Sequence, residues 1–136
     1  TGPTEVNYAI VPHSGNWESG GIGREEVRWC EPLKVLPGAG GKDFSLLALP
    51  GNGSQVSAML MDGNDLLIRL YNAGGNGSGQ QLSFNGKASQ AVLEQLNGLA
   101  GETLPCRQSS GKTFIRLAIP RFGIRTVRLK NVMVNN

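Results

Sequence analysis

At 136 residues, with 39% hydrophobic and 17% charged content and 20 glycines, the chain has the size of a single domain with one core. That balance suits short strands joined by many turns and excludes a helical bundle. A net charge of +3, from 13 basic and 10 acidic residues, comes with no Lys/Arg cluster interleaved with aromatics, so nothing argues for a nucleic-acid partner. No apolar run approaches the ~20 residues of a membrane span, and no signal peptide is expected among these residues. The chain starts at Thr1 and not at Met, as expected of a processed product or an excised fragment. Cys30 and Cys106 permit one disulfide, but without a C-x-x-C pair they form neither a redox motif nor a zinc ribbon. They read as free, buried thiols.

In chain order, residues 1–4 read as a leader. Residues 6–11 read as a strand with Val6, Tyr8 and Ile10 on one face, ended by Pro12, which cannot donate to a ladder. His13 to Trp17 is a polar loop closed by an aromatic. The spacing over residues 19–30 predicts one short helix, from residue 23 to 29. Ile22, Val27, Trp29 and Cys30 would face inward, and Arg24, Glu25, Glu26 and Arg28 would face water. Its glycines weaken the first turn by about 1 kcal/mol each relative to alanine. Pro32 stops it. Residues 33–36 read as a short strand, and Pro37 to Gly41 as a turn without phosphate-loop spacing. Residues 44–49 read as a strand that runs through Pro50-Gly51-Asn52-Gly53 into the next element.

Residues 56–72, VSAMLMDGNDLLIRLYN, are the centre of the chain and predict a β-hairpin. Val56, Ala58 and Leu60 alternate with Ser57, Met59 and Met61; Leu66, Ile68 and Leu70 alternate with Leu67, Arg69 and Tyr71. Gly63 can take the positive φ of a tight turn. The apolar face of this pair requires a second layer. After a glycine-rich connection, residues 80–84 read as a strand and Asn85-Gly86 as a second hairpin turn. Residues 89–99 fit either an amphipathic helix or a strand, and the all-β context favours the strand. Residues 112–119 and 124–129 are strands, with Arg121, Arg125, Arg128 and Lys130 read mostly as a solvated face. Residues 132–136 are a tail. The count, about eight or nine strands with one short helix, predicts a single all-β domain over residues 1–136, an antiparallel β-sandwich.

No catalytic constellation is visible. A glycosidase needs two carboxylates ~5–5.5 Å or ~6.5–9.5 Å apart, and the single local acidic cluster, Glu18, Glu25 and Glu26, reads as solvated charge. One histidine, His13, supplies neither a metal site nor a triad. Aromatic rings can stack on sugars. Trp17, Trp29 and Tyr71 are the candidates, with Asn16 and Arg69 as polar partners, and of the three Trp29 reads as core.

Residues 8–33, YAIVPHSGNWESGGIGREEVRWCEPL, resemble a segment of the α-mannosidases of glycoside hydrolase family 38, in which a Tyr-Ala strand runs into Pro-His-x-Gly-Asp-Trp, an arginine-bearing stretch and Pro-Leu. The matching residues are Tyr8, Ala9, Pro12, His13, Gly15, Trp17, Arg24, Pro32 and Leu33. Ala58 with LIRLYN at residues 67–72, and Pro120 followed by IRTVRL at 124–129, are similar to that family's C-terminal region. Two positions depart from the pattern. Asn16 stands where the family often has Asp, and the lysine common after the alanine of the first hairpin strand is missing, with Leu60 nearby.

The resemblance implies the C-terminal β-sandwich of a larger, retaining, zinc-dependent α-mannosidase. The zinc, the nucleophilic aspartate and the acid/base would lie in an N-terminal barrel, so no catalytic residue, metal ligand or cofactor is expected in this chain. The expected partner is the remainder of the parent enzyme, with no nucleic acid and no membrane. His13, Asn16, Trp17 and Arg24 would contact the cleft or the interface. Two other readings stand beside it: a free-standing carbohydrate-binding module using Trp17 or Tyr71, and an interaction sandwich.

Overall fold

The computed structural model describes residues 2–17, 19–31, 33–35, 37–38, 41, 43–49, 54–74, 77 and 79–135. The chain divides into two units, residues 1–39 and 40–136.

Among the described residues the first unit holds one helix, α1 (Ile22–Cys30), which starts and ends within one residue of the predicted bounds. It buries none of its residues, so Trp29, expected in the core, is exposed, as are Val27 and Cys30. Residues 6–11 form no strand, and Tyr8 is 81% exposed. Alternation becomes a strand where an edge offers hydrogen bonds, and among the described residues this unit contains no strand to offer them. Leu33 and Val35 are likewise exposed and unpaired; Pro32 and Leu36 lie outside the described residues.

The second unit is all-β and sandwich-like. Its strands are β1 (Leu47–Ala48), β2 (Ser54–Asp62), β3 (Asp65–Asn72), β4 (Gly79–Phe84), β5 (Gly86–Lys87), β6 (Gln90–Glu94), β7 (Ala100–Thr103), β8 (Cys106–Ser109), β9 (Lys112–Ala118), β10 (Ile124–Lys130) and β11 (Met133–Val134). A five-stranded sheet runs β2-β3-β10-β6-β7 and a four-stranded sheet β1-β4-β9-β8, with β5 and β11 as a small pair. All pairings are antiparallel. The strand that residues 44–49 predict shrinks to two residues, and its approach through Pro50 to Gly53 lies outside the described residues.

The central hairpin forms as expected, with Asp62 opposite Asp65 and Gly63 at a φ of 59°. One detail differs. The register shifts between Val56 and Ala58, so a bulge changes the facing. Val56, Met59 and Met61 lie opposite Leu70, Ile68 and Leu66, and Ala58 and Leu60 lie on the other face. The inner rows of both sheets meet in one core: Leu66, Ile68 and Leu70 of β3, Val127 and Leu129 of β10, Leu82 and Phe84 of β4, and Ile115 and Leu117 of β9.

Residues 89–99 resolve as the strand β6, because Ala91 and Leu93 pair with Leu129 and Val127 of β10. Asn85-Gly86 makes no hairpin. The chain leaves β4 in the four-stranded sheet and passes through β5, which pairs with β11, to reach β6 in the five-stranded sheet. Gly86 is required by space: a Cβ there would collide with the Met133 carbonyl oxygen and lie 2.7–2.8 Å from the Phe84 ring. Thr113 Oγ1 donates to the Gly86 carbonyl at 2.8 Å and holds the corner against β9. Buried Asn72 closes the far end of β3, with Nδ2 donating to the Ile119 carbonyl at 3.1 Å and Oδ1 accepting from Gly74 N at 3.0 Å.

Gly86→Ala is expected to lower stability by about 1–3 kcal/mol through overpacking. Thr126 is buried on β10 and its Oγ1 has no hydrogen-bond partner. Thr126→Val is therefore expected to raise stability by about 1 kcal/mol. Urea unfolding of the two variants beside the parent chain checks both signs.

Candidate functional site

The predicted contact residues of the first unit share one loop and the helix that follows it. Asn16 organises the turn: its Oδ1 accepts from Ser19 N at 2.9 Å, and its carbonyl accepts from Gly20 N at 2.8 Å and Ser19 Oγ at 3.2 Å. Gly15 takes a φ of 76°, which a side chain resists. A Cβ at Gly20 would lie 2.6–2.8 Å from the His13 ring, so the imidazole sits close against the Gly20 backbone. The sequence Pro-His-Ser-Gly-Asn-Trp thus codes a compact turn whose asparagine is a structural acceptor. Trp17 is 45% exposed on this turn. Arg24 lies in the first turn of α1, its backbone N–H donating to the Gly21 carbonyl at 3.0 Å. Glu25 pairs with Arg28 at 2.6 Å, one turn along the same helix. Glu18 lies outside the described residues.

Tyr71 belongs to the second unit. It is half-buried on the outer face of the five-stranded sheet, between Gln55 of β2 and Ile124 of β10. Arg69, its proposed polar partner, is on the same face two residues away, beside Ala58 and Thr126. His13, Asn16, Trp17 and Arg24 are gathered within one unit, and Tyr71 lies in the other.

Among the described residues, the densest ion-pair cluster lies on the second unit and has no local sequence signature. Arg128, read as part of a solvated face, is 19% exposed at its side chain and collects three carboxylates. It binds Glu94 through Nε, and through Nη1 it reaches Asp62 at 2.9 Å and Asp65 at 3.2 Å. The Glu94 carboxylate first, then that of Asp62, pushes the Arg128 pKa up. The Asp65 carboxyl is held below its ordinary value. The backbone N–H of Asn131, 3.0 Å away, is the main cause; Arg128 adds to it, and desolvation opposes it. The three acids come from β2, β3 and β6, so no local spacing announces the cluster. Both cysteines are free, as expected, and both are exposed, against the expectation of burial. Among the described residues no group of three His, Cys, Asp or Glu is placed to hold a metal ion, and no helix is long and apolar enough to cross a membrane.

The Glu94 side chain is 7% exposed, so Arg128→Gln strands a nearly buried carboxylate. The expected loss is about 2–3 kcal/mol in urea unfolding at neutral pH. Because the folded pKa of Asp65 is depressed, its contribution is complete above the ordinary value of 3.8 and is lost as the pH falls through the folded value. Asp65→Asn is therefore expected to flatten the acid limb of the stability curve, seen by repeating the unfolding series downward from neutral pH.

Comparison of the chain with protein-family models, with curated proteins and with solved structures finds no match.

Proposed function

We propose that this chain is a non-catalytic β-sandwich lobe of a larger α-mannosidase of the glycoside hydrolase 38 type, where it supports the catalytic barrel. The turn bearing His13, Asn16 and Trp17, with Arg24 on the helix that follows it, then contributes to the edge of the substrate cleft. In this reading the zinc and the nucleophile belong to the parent's barrel. The resemblance of residues 8–33, 58, 67–72, 120 and 124–129 supports the family.

The observation that carries the lobe reading is the condition of β2. It is an edge strand of nine residues. Its register puts Met59 and Met61 opposite Ile68 and Leu66, which are buried, yet Met59 is 51% and Met61 54% exposed. Leu60 is exposed on the reverse face. Free edges are ordinarily blunted with lysine, proline or inward charge; SQVSAMLMD carries a bulge and a terminal aspartate and none of the first two. A long apolar edge of this kind suits a domain covered by more protein.

The test begins upstream of Thr1 in the coding sequence. An in-frame barrel bearing zinc ligands supports the reading, and an independent start immediately before residue 1 would sink it. In the parent enzyme, Met59→Lys with Met61→Lys is expected to lower thermal stability and α-mannosidase activity. In the 136-residue chain the same pair is expected to cost less than in the parent, because both positions are already half in water. Trp17→Ala in the parent is expected to weaken lobe docking or activity and to leave this chain folded; unchanged activity and stability would remove the turn from the cleft.

A further inference from the structure

The outer face of the four-stranded sheet carries a groove that the lobe reading does not use. Phe114 on β9 lies directly opposite Arg107 of β8 and Ser83 of β4, and Arg116, two residues on, lies opposite Gln81 of β4. Alternation places Phe114 and Arg116 on the face away from the core, since Ile115 between them and Thr113 and Leu117 on either side are buried. Three adjacent strands therefore present these side chains together, across about 10 Å of sheet. Of these, Gln81, Arg107, Phe114 and Arg116 line a cavity of about 520 Å³, with Pro105, Cys106 and Ser109.

The lining is chemically lopsided. It holds two guanidinium groups and no carboxylate. Among the described residues neither Arg107 nor Arg116 takes part in an ion pair, whereas Arg128 on the other sheet has three. Two like charges beside a concave surface attract an anion, and a planar guanidinium matches a carboxylate in two-point geometry. Phe114 is half-buried and supplies an apolar floor. Gln81 and Ser109 can each donate to and accept from hydroxyls. A ligand that meets all of these has an apolar ring face, hydroxyls and a carboxylate.

We propose that this face binds an acidic saccharide, a pyranose carrying a carboxylate. The carboxylate pairs with Arg107 and Arg116, the ring packs on Phe114, and the hydroxyls bond to Gln81 and Ser109. A nucleic acid fits less well, because stacking along a strand calls for successive aromatics and this face presents one. The site stands on the four-stranded sheet alone and does not depend on what covers β2.

The experiment is an amide chemical-shift titration of the full chain with trigalacturonate, its neutral methyl ester, sodium sulfate and a short single-stranded oligonucleotide. Trigalacturonate is expected to shift Gln81, Arg107, Phe114 and Arg116 and to bind more weakly as salt rises. The methyl ester and sulfate are expected to leave these signals nearly unmoved. Arg116→Gln is expected to weaken binding about tenfold or more, the size of a lost charge-assisted hydrogen bond. Phe114→Leu, which keeps an apolar side chain, is expected to weaken trigalacturonate while the rest of the spectrum stays folded. A silent titration overturns the proposal. So does equal binding of the ester, which removes the role of charge, or equal binding of sulfate or the oligonucleotide, which removes the saccharide.

Discussion

Burial of the inner row of β3 is the constraint on which the second unit depends. Leu66, Ile68 and Leu70 are held on both sides, by β2 and by β10, and are covered by the inner faces of β4 and β9. Each such side chain contributes roughly 1.5–3 kcal/mol when fully buried. A slip of one residue would turn the whole row to water and bring Leu67, Arg69 and Tyr71 inward, so the register is strongly specified. The pairings of β10 follow from it: Val127 and Leu129 must lie beside Ile68 and Leu66, and Leu93 and Ala91 of β6 must lie beside them in turn.

The same alternation that fills the core sets up the surfaces. Every second residue of β10 faces away from it, and Arg128 there gathers Asp62, Asp65 and Glu94 from three other strands. That guanidinium joins β2, β3, β6 and β10 across the outer face, so it acts as a clamp on the sheet. Among the described residues, the outer side chains of the four-stranded sheet make no such ion pairs. Arg107 and Arg116 are left facing a groove, which makes that face suited to a ligand. At β2 the inner row continues past the edge of its cover, leaving Met59 and Met61 half in water. Core, clamp, groove and open edge are thus consequences of one strand periodicity meeting sheets of unequal width.

Where periodicity was strong, the chain was legible. The hairpin, β4, β9 and β10 follow from alternation, and α1 follows from its 3.6-residue spacing. Strands β7 and β8, AGET and CRQS, carry almost no apolar signal, because their edge positions bury little. Asn85-Gly86 has the residues of a hairpin turn, yet the glycine is there to let the Met133 carbonyl approach. Residues 6–11 alternate as a strand should, and form none. Within the candidate site, the His13–Trp17 turn was readable as a loop, but the role of Asn16 as its internal acceptor was not.

By itself the sequence determined which side chains alternate, hence the all-β class, the position of the tight turn at Gly63 and the helix α1. Those properties are local, set by backbone sterics and by the polarity of neighbours a few residues apart. The tertiary structure alone decided which strands become neighbours. That choice created the Arg128 cluster from residues up to 66 positions apart, the bulge that turns Met59 inward, and the groove between Gln81, Arg107 and Arg116. Each needs contacts between strands distant in sequence, and no period of two can encode those.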